Sequence, residues 1–228
     1  MKIIAIDGVA SSGKGTLAKE LAKRLNYVHL DTGALYRCAT VQILNEGINP
    51  EDEEKIVNSV LNAKIEARMV DGSVHYFLNN KDLSLSNSLR TPEVNNTVAK
   101  IAKYPRLREQ IRKIQKDVAS TNNCVVEGRD ITTVVFPNAD YKFFITADAK
   151  TRAKRRQNDY KNQGIKVPLK EVEQMIIERD LADEEREASP LVCPPDAHII
   201  DNGENTVEQS INQMLSIINK GVMSDKAH

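Results

Sequence analysis

A chain of 228 residues suits one good-sized domain, or a core domain carrying insertions. Its 32 basic and 32 acidic side chains cancel, and aromatic residues make up only 4% with no tryptophan, so nucleic acid and anionic membranes find neither a global field nor a stacking platform. Cys38, Cys124 and Cys193 are too few and too far apart for a disulfide framework or a zinc site, and are expected as buried free thiols in a reducing cytoplasm.

The first predicted strand is the apolar run "KIIAID" at 2–7, closed by Asp7 and Gly8. It is too short for a secretory leader, and no apolar run in the chain approaches the roughly 18 residues of a membrane span. After a glycine loop, Leu17, Leu21 and Leu25 recur at helical spacing beside Ala18 and Ala22. Further strands are expected at 27–31, 123–128, 141–146 and 197–201, separated by helical or turn sequence. That alternation implies an α/β fold with a three-layer, five-stranded parallel sheet.

The stretch 62–83 breaks the pattern. Asp71-Gly72 is a two-residue hairpin signal, flanked by Ile65, Ala67 and Met69 on one side and Val74, Tyr76 and Leu78 on the other. A small antiparallel insert is expected there. Two amphipathic helices follow, one burying Leu107, Ile111, Ile114 and Val118, the other Val172, Met175 and Ile176. The tail at 219–228 reads as polar and frayed.

The chemistry begins at "GVASSGKGT", residues 8–16: Gly8, Val9, Ala10, Ser11, Ser12, Gly13, Lys14, Gly15 and Thr16. Glycines after a strand and before a helix let loop amides point at a polyphosphate, and Lys14 adds a mobile charge. The hydroxyl that usually follows the lysine comes one place late, at Thr16. On a helix that swings it by about 100°, so Thr16 is at most a weak, water-mediated magnesium contact. Phosphoryl transfer also needs cations around the moving group from several directions. Candidates are Arg37 in "DTGALYR", Arg108 in "YPRLRE", Arg129 in "GRD" at a strand end, and the "RAKRR" cluster at 152–156. Arg179, Asp183 and Arg186, at i, i+4 and i+7, are expected on one helical face. A guanine-specific switch would need N-K-x-D after a sheet strand, and "NKDL" at 80–83 is misplaced in the insert.

Taken in order, "IDGVASSGKGT", "LDTGALYR", "YPRLRE", "VVEGRDITTVVFP" and "ERDLADEERE…SPL" resemble the bacterial cytidylate kinases of the P-loop nucleoside monophosphate kinase superfamily, over about residues 2–201. The "GRD…TVVFP" block is the most specific. The resemblance implies transfer of the ATP γ-phosphoryl group to cytidine or deoxycytidine monophosphate with Mg2+. Small nucleotides are the expected partners, without nucleic acid or membrane, and a cytoplasmic monomer is the default expectation. A slowly hydrolysing or non-catalytic nucleotide switch is the alternative.

It further implies a P-loop core at 1–33, 106–149 and 171–228, a monophosphate-binding region at 34–105 and a helical lid at 150–170. The acceptor would be bound by Thr32, Arg37, Arg108, Arg129, Asp130, Arg179, Asp183 and Arg186. Arg37 and Arg129 would grip its phosphate; Arg108, Asp130 and Arg186 would read cytosine; Arg179 and Asp183 would reach the sugar. Lys14, Arg129 and Arg155 would be catalytic, with Arg155, and Arg152 beside it, closing over the polyphosphate. Two positions depart from the family pattern. Ala99 stands where a serine helps hold the base, and Thr132 stands where glycine is common; a positive φ there would suit threonine poorly.

Overall fold

The computed structural model describes residues 1–225, with side chains through residue 221. The central sheet has five parallel strands: β1 (Ile3–Gly8), β2 (Val28–Asp31), β6 (Cys124–Glu127), β7 (Tyr141–Thr146) and β8 (His198–Asp201). Their order across the sheet is β2-β6-β1-β7-β8. Each expected strand is present to within a residue at either end.

Strand pleating divides the core in two. Ile4, Ile6, Val125, Phe143 and Ile145 point to one face, against α1 (Lys14–Leu25) and α8 (Val207–Asp225). Ala5, Cys124 and Val126 point to the other, against α2 (Thr32–Asn45), α3 (Glu53–Asn62) and α5 (Pro105–Ser120). Successive residues on opposite faces follow from the two-residue period of a strand. Two-faced burial explains why these strands read as continuous apolar runs.

The insert pairs β3 (Ile65–Val70) with β4 (Ser73–Leu78) in antiparallel register. Ile65 faces Leu78, Ala67 faces Tyr76 and Met69 faces Val74, so the two alternating sets share one face. Asp71 and Gly72 both have positive φ, 47° and 79°, as a tight hairpin turn requires. A third strand, β5 (Lys81–Asp82), was not expected. It follows a second such turn at Asn79 and Asn80, φ 50° and 66°, so "NKDL" is hairpin rather than a base-recognition loop.

Between the insert and α5 lie a 3₁₀ turn at Asn87–Arg90 and α4 (Pro92–Ile101), whose N-cap Thr91 accepts the Val94 N–H at 3.2 Å. On α5, Leu107 and Ile111 are buried but Ile114 and Val118 only half-buried. Gln115 and Ala119 complete the inward face, which also carries Arg108. α6 (Ala149–Asn162) and α7 (Leu169–Glu185) form a small side core through Ala153, Tyr160, Val172 and Ile176, with Met175 half-buried. The expected fraying at 219–228 is corrected as far as Asp225, where α8 ends; 226–228 lie outside the described residues. Cys38 and Cys124 are buried free thiols, whereas Cys193 is only half-buried. Among the described residues, no helix is long and apolar enough to cross a membrane.

Candidate active site

A cleft of about 1110 Å³ opens at the carboxyl ends of β1, β2 and β6, where ligands of open parallel sheets gather. Its floor is the glycine loop between β1 and α1. Gly13 sits at the N-cap of α1 with φ 87°, a backbone conformation open to glycine, and Ser11 holds a strained left-handed φ of 57°. Ser11 through Thr16 line the cleft, while Gly8, Val9 and Ala10 form the back of the loop.

Lys14 is buried and donates to the Val9 carbonyl at 3.2 Å. Burial, reinforced by the nearby Arg129 charge, brings its amine down to about 7 against partial opposition from Glu127, Asp183 and Asp7. Arg37, Arg129, Arg156 and Arg179 line the same cleft. Arg37 is half-buried, its Nε has no partner, and it makes no ion pair among the described residues. Burial lowers it to about 10, and Arg90, Arg179 and Arg156 push in the same direction against Asp31. A neutral chain has thus gathered cations around one cavity.

Asp183 is the counterweight. Its Oδ2 accepts from Arg129 Nε at 3.0 Å and Arg179 Nε at 3.1 Å, and its Oδ1 from Arg186 Nη1 at 3.4 Å. Burial alone would raise this carboxyl, but the three guanidinium groups outweigh it and hold it at about 2. Arg186 does not share the helical face as expected. α7 ends at Glu185 and Arg186 leaves it in an extended conformation, yet its side chain still returns to Asp183.

The far end of the cleft is built around Arg108, which is 2% exposed. It pairs with Asp130 at 2.7 Å, donates to the Ala102 carbonyl at 2.7 Å and lies 5.3 Å from the Tyr36 ring centroid. Arg108 Nε and Arg186 Nη2 are buried donors without a partner. Thr32 opens α2 beside them and donates to the Glu127 carbonyl at 2.7 Å. The insert closes this wall. Tyr76 on β4 accepts the Asp31 N–H at 2.8 Å, and Arg90 reaches Asp31 at 3.3 Å. Val98 and Ala102 line the cleft; Ala99 does not.

Asp7, at the end of β1, is fully buried and accepts from the Ile131 N–H, the Thr132 N–H and the Thr132 hydroxyl at 3.0, 2.7 and 2.6 Å. Burial raises its carboxyl more than these bonds lower it. They fix a π-helical turn at Ile131–Val135 directly after Asp130. The concern over Thr132 is thereby settled: its φ is not positive, and its hydroxyl is used.

"RAKRR" departs from expectation. Arg152 is buried, paired with Asp180 and bonded to the Ala10 carbonyl at 3.0 Å, so it faces the back of the loop. Arg155 donates to the Ser12 carbonyl at 3.2 Å and to the carbonyls of Asn202 and Gly203, and likewise does not line the cleft. Arg156, one residue on, does line it, and donates to the Ser11 hydroxyl at 3.1 Å. One residue is a rotation of about 100° on a helix, which separates the two roles.

Glu127 was not foreseen, although it directly precedes "GRD" at a strand end. It is buried on the cleft wall, 2.9 Å from His29 Nε2. Glu127, Thr16 and Lys14 all line the cleft. Among the described residues no cluster of three or more His, Cys, Asp or Glu could hold a metal. Mg2+ needs few direct protein ligands, because it keeps most of its shell as water and substrate phosphate.

A parallel sheet, a glycine loop capping a helix and a cation-lined cleft beside it define a P-loop phosphotransferase. Residues 4–220 match the cytidylate kinase family. The cytidylate kinase of Caldanaerobacter subterraneus subsp. tengcongensis is 40% identical over 222 residues, covering 97% of this chain and 96% of that protein. That of Bacillus cereus is 40% identical over 215 residues, covering 94% and 95%. The chain belongs to the cytidylate kinase family. Solved structures share the fold at low identity. An uncharacterized protein from Eubacterium ventriosum superposes with a TM-score of 0.52 at 17% identity, over 96% of this chain and 99% of that one. Shikimate kinase from Bacteroides thetaiotaomicron gives 0.50 at 12% identity, over 96% and 98%.

Proposed function

We infer that the chain transfers the γ-phosphoryl group of ATP to cytidine monophosphate, or its deoxy form, giving the diphosphate and ADP. Family membership supports the reaction; nothing favours the non-catalytic alternative. The observation that carries the site assignment is that one cleft joins the phosphate loop to the Arg108–Asp130 pocket.

The donor polyphosphate rests on the amides of residues 11–16, with Lys14 swinging from the Val9 carbonyl to its β- and γ-oxygens. The acceptor phosphate lies between Arg37 and Arg129, where paired guanidinium donors match its oxygens. Arg179 and Asp183 meet the sugar. Asp130 accepts from the cytosine amine, and the orphaned donors of Arg108 and Arg186 suit its N3 and O2. Thr32 closes the acceptor end. Arg156 is better placed than Arg155 to cover the transferring group.

No general base is required, because the attacking phosphate oxygen is already ionised near neutral pH. Charge spreads over three oxygens at the transition state, so the converging cations supply most of the catalysis. Thr16 and Glu127 would hold Mg2+ through water, and the ion would neutralise phosphate charge. Residues 150–170 act as a lid and 34–105 as the acceptor-binding region, both closing to exclude water that would otherwise hydrolyse ATP. The enzyme works as a cytoplasmic monomer; the free thiols Cys38 and Cys124 support a reducing setting.

The test is Lys14→Ala. Turnover of cytidine monophosphate should fall by several orders of magnitude with the fold intact by circular dichroism; near-normal turnover would overturn the assignment.

A further inference from the structure

The apolar stripe of α7 runs Val172, Ile176 and then Asp180, a carboxylate at a position burial reserves for an apolar side chain. Asp180 is 8% exposed, and a buried charge is tolerated only when paired and hydrogen-bonded. Its partners account for it. Oδ1 accepts the Ala10 N–H at 2.9 Å, and Oδ2 pairs with Arg152. Arg152 in turn donates to the Ala10 carbonyl at 3.0 Å and to the Ala147 carbonyl at 2.8 Å.

The ion pair therefore grips both polar groups of one loop residue, Ala10, from behind. The next residue, Ser11, carries the left-handed turn that redirects the chain into the cleft. The Ala10 N–H is held on the side of the loop away from the cleft. Asp180 and Arg152 touch no cleft surface themselves.

We propose that Asp180, locked to Arg152, is a positioning residue for the phosphate loop. It anchors the Ala10 peptide so that the strained turn at Ser11 holds and the following amides aim at the donor polyphosphate. Because Arg152 stands on α6 and Asp180 on α7, the same pair fastens the roots of both helices to the loop. The proposal rests on residues 11–16 being the donor site.

The experiment measures affinity for ADP and for cytidine monophosphate separately by calorimetry, with kcat and both KM values, in Asp180→Asn, Asp180→Ala and Lys14→Ala. Asp180→Asn keeps an oxygen for the Ala10 N–H and loses the charge. It should weaken ADP about threefold, and Asp180→Ala, which removes a hydrogen bond to a charged group, about tenfold or more. Affinity for cytidine monophosphate should stay within about twofold. If Asp180→Ala does not fold, the near-isosteric Asp180→Asn carries the test. Unchanged ADP affinity in a folded variant, or parallel loss of both ligands, would overturn the proposal, since a merely structural residue moves both together. Undiminished ADP binding in Lys14→Ala would instead show that the donor site itself is misplaced.

Discussion

Gly15 and Glu127 fit against each other: a Cβ at position 15 would lie 3.1 Å from Glu127 Oε1 and 3.3 Å from Oε2. Glu127 is buried and held by His29, so it has little room to give. This contact is consistent with the late hydroxyl of "GKGT". A residue without a side chain after Lys14 leaves the β6 carboxylate room beside the loop, and the hydroxyl stands at Thr16. Gly15→Ser, which restores the commoner order, should press on Glu127, cost about 1–3 kcal/mol of stability and reduce turnover. Thermal unfolding with kinetics checks this; a variant as stable and active as the parent would show that the contact is idle.

Lys14 gives a proton-linked signature. In the free protein it titrates near 7, because burial and Arg129 disfavour its charge. A bound polyphosphate reverses that balance, so nucleotide binding should take up protons. The lysine's share should be about half a proton at pH 7, rising toward one by pH 8. Calorimetry in buffers of different ionisation enthalpy, with Lys14→Met as the reference, isolates it. Equal uptake in parent and variant would contradict the shift.

Asp183 works in the opposite direction. Its folded value, about 2, lies below the ordinary 3.8, so its stabilisation is present above about pH 4 and is lost as pH falls through 2. Asp183→Asn should cost roughly 2–3 kcal/mol at pH 7, with the gap from the parent closing toward pH 2. It should also raise the acceptor KM, because Arg129 and Arg179 lose their anchor. Urea unfolding across that range measures the gap, and a pH-independent difference would refute the account.

Thr132 carries a smaller prediction. Its hydroxyl is one of the three donors that satisfy Asp7. Thr132→Val keeps the shape and removes that bond, and should cost about 1–3 kcal/mol, the usual penalty for leaving a buried acceptor short. No loss of stability would mean that the two backbone donors suffice.

The parts legible in sequence were those carried by local pattern. The five strands are short apolar runs, the hairpin is announced by Asp71-Gly72, and Lys14 and Arg37 sit in motifs whose chemistry is local. What was missed depends on distant partners. Asp180 carries no motif signal until α6 brings Arg152 against it, and Glu127 acquires meaning only once β6 lies next to β1 and its loop. Arg155 and Arg156 are adjacent cations that no spacing rule tells apart; the packing of α6 sends one to the Ser12 carbonyl and the other to the cleft. Arg186 was expected on a helical face and reaches Asp183 from beyond the helix end, because helix termini are poorly marked in sequence.

Acceptor choice is the central claim, and an ADP-release assay across the nucleoside monophosphates at fixed ATP tests it most directly. The Arg108–Asp130 pocket predicts that cytidine and deoxycytidine monophosphates lead uridine monophosphate by at least about tenfold in kcat/KM, even with Ala99 in place of a serine. A flat profile, or a lead by uridine monophosphate, would contradict it.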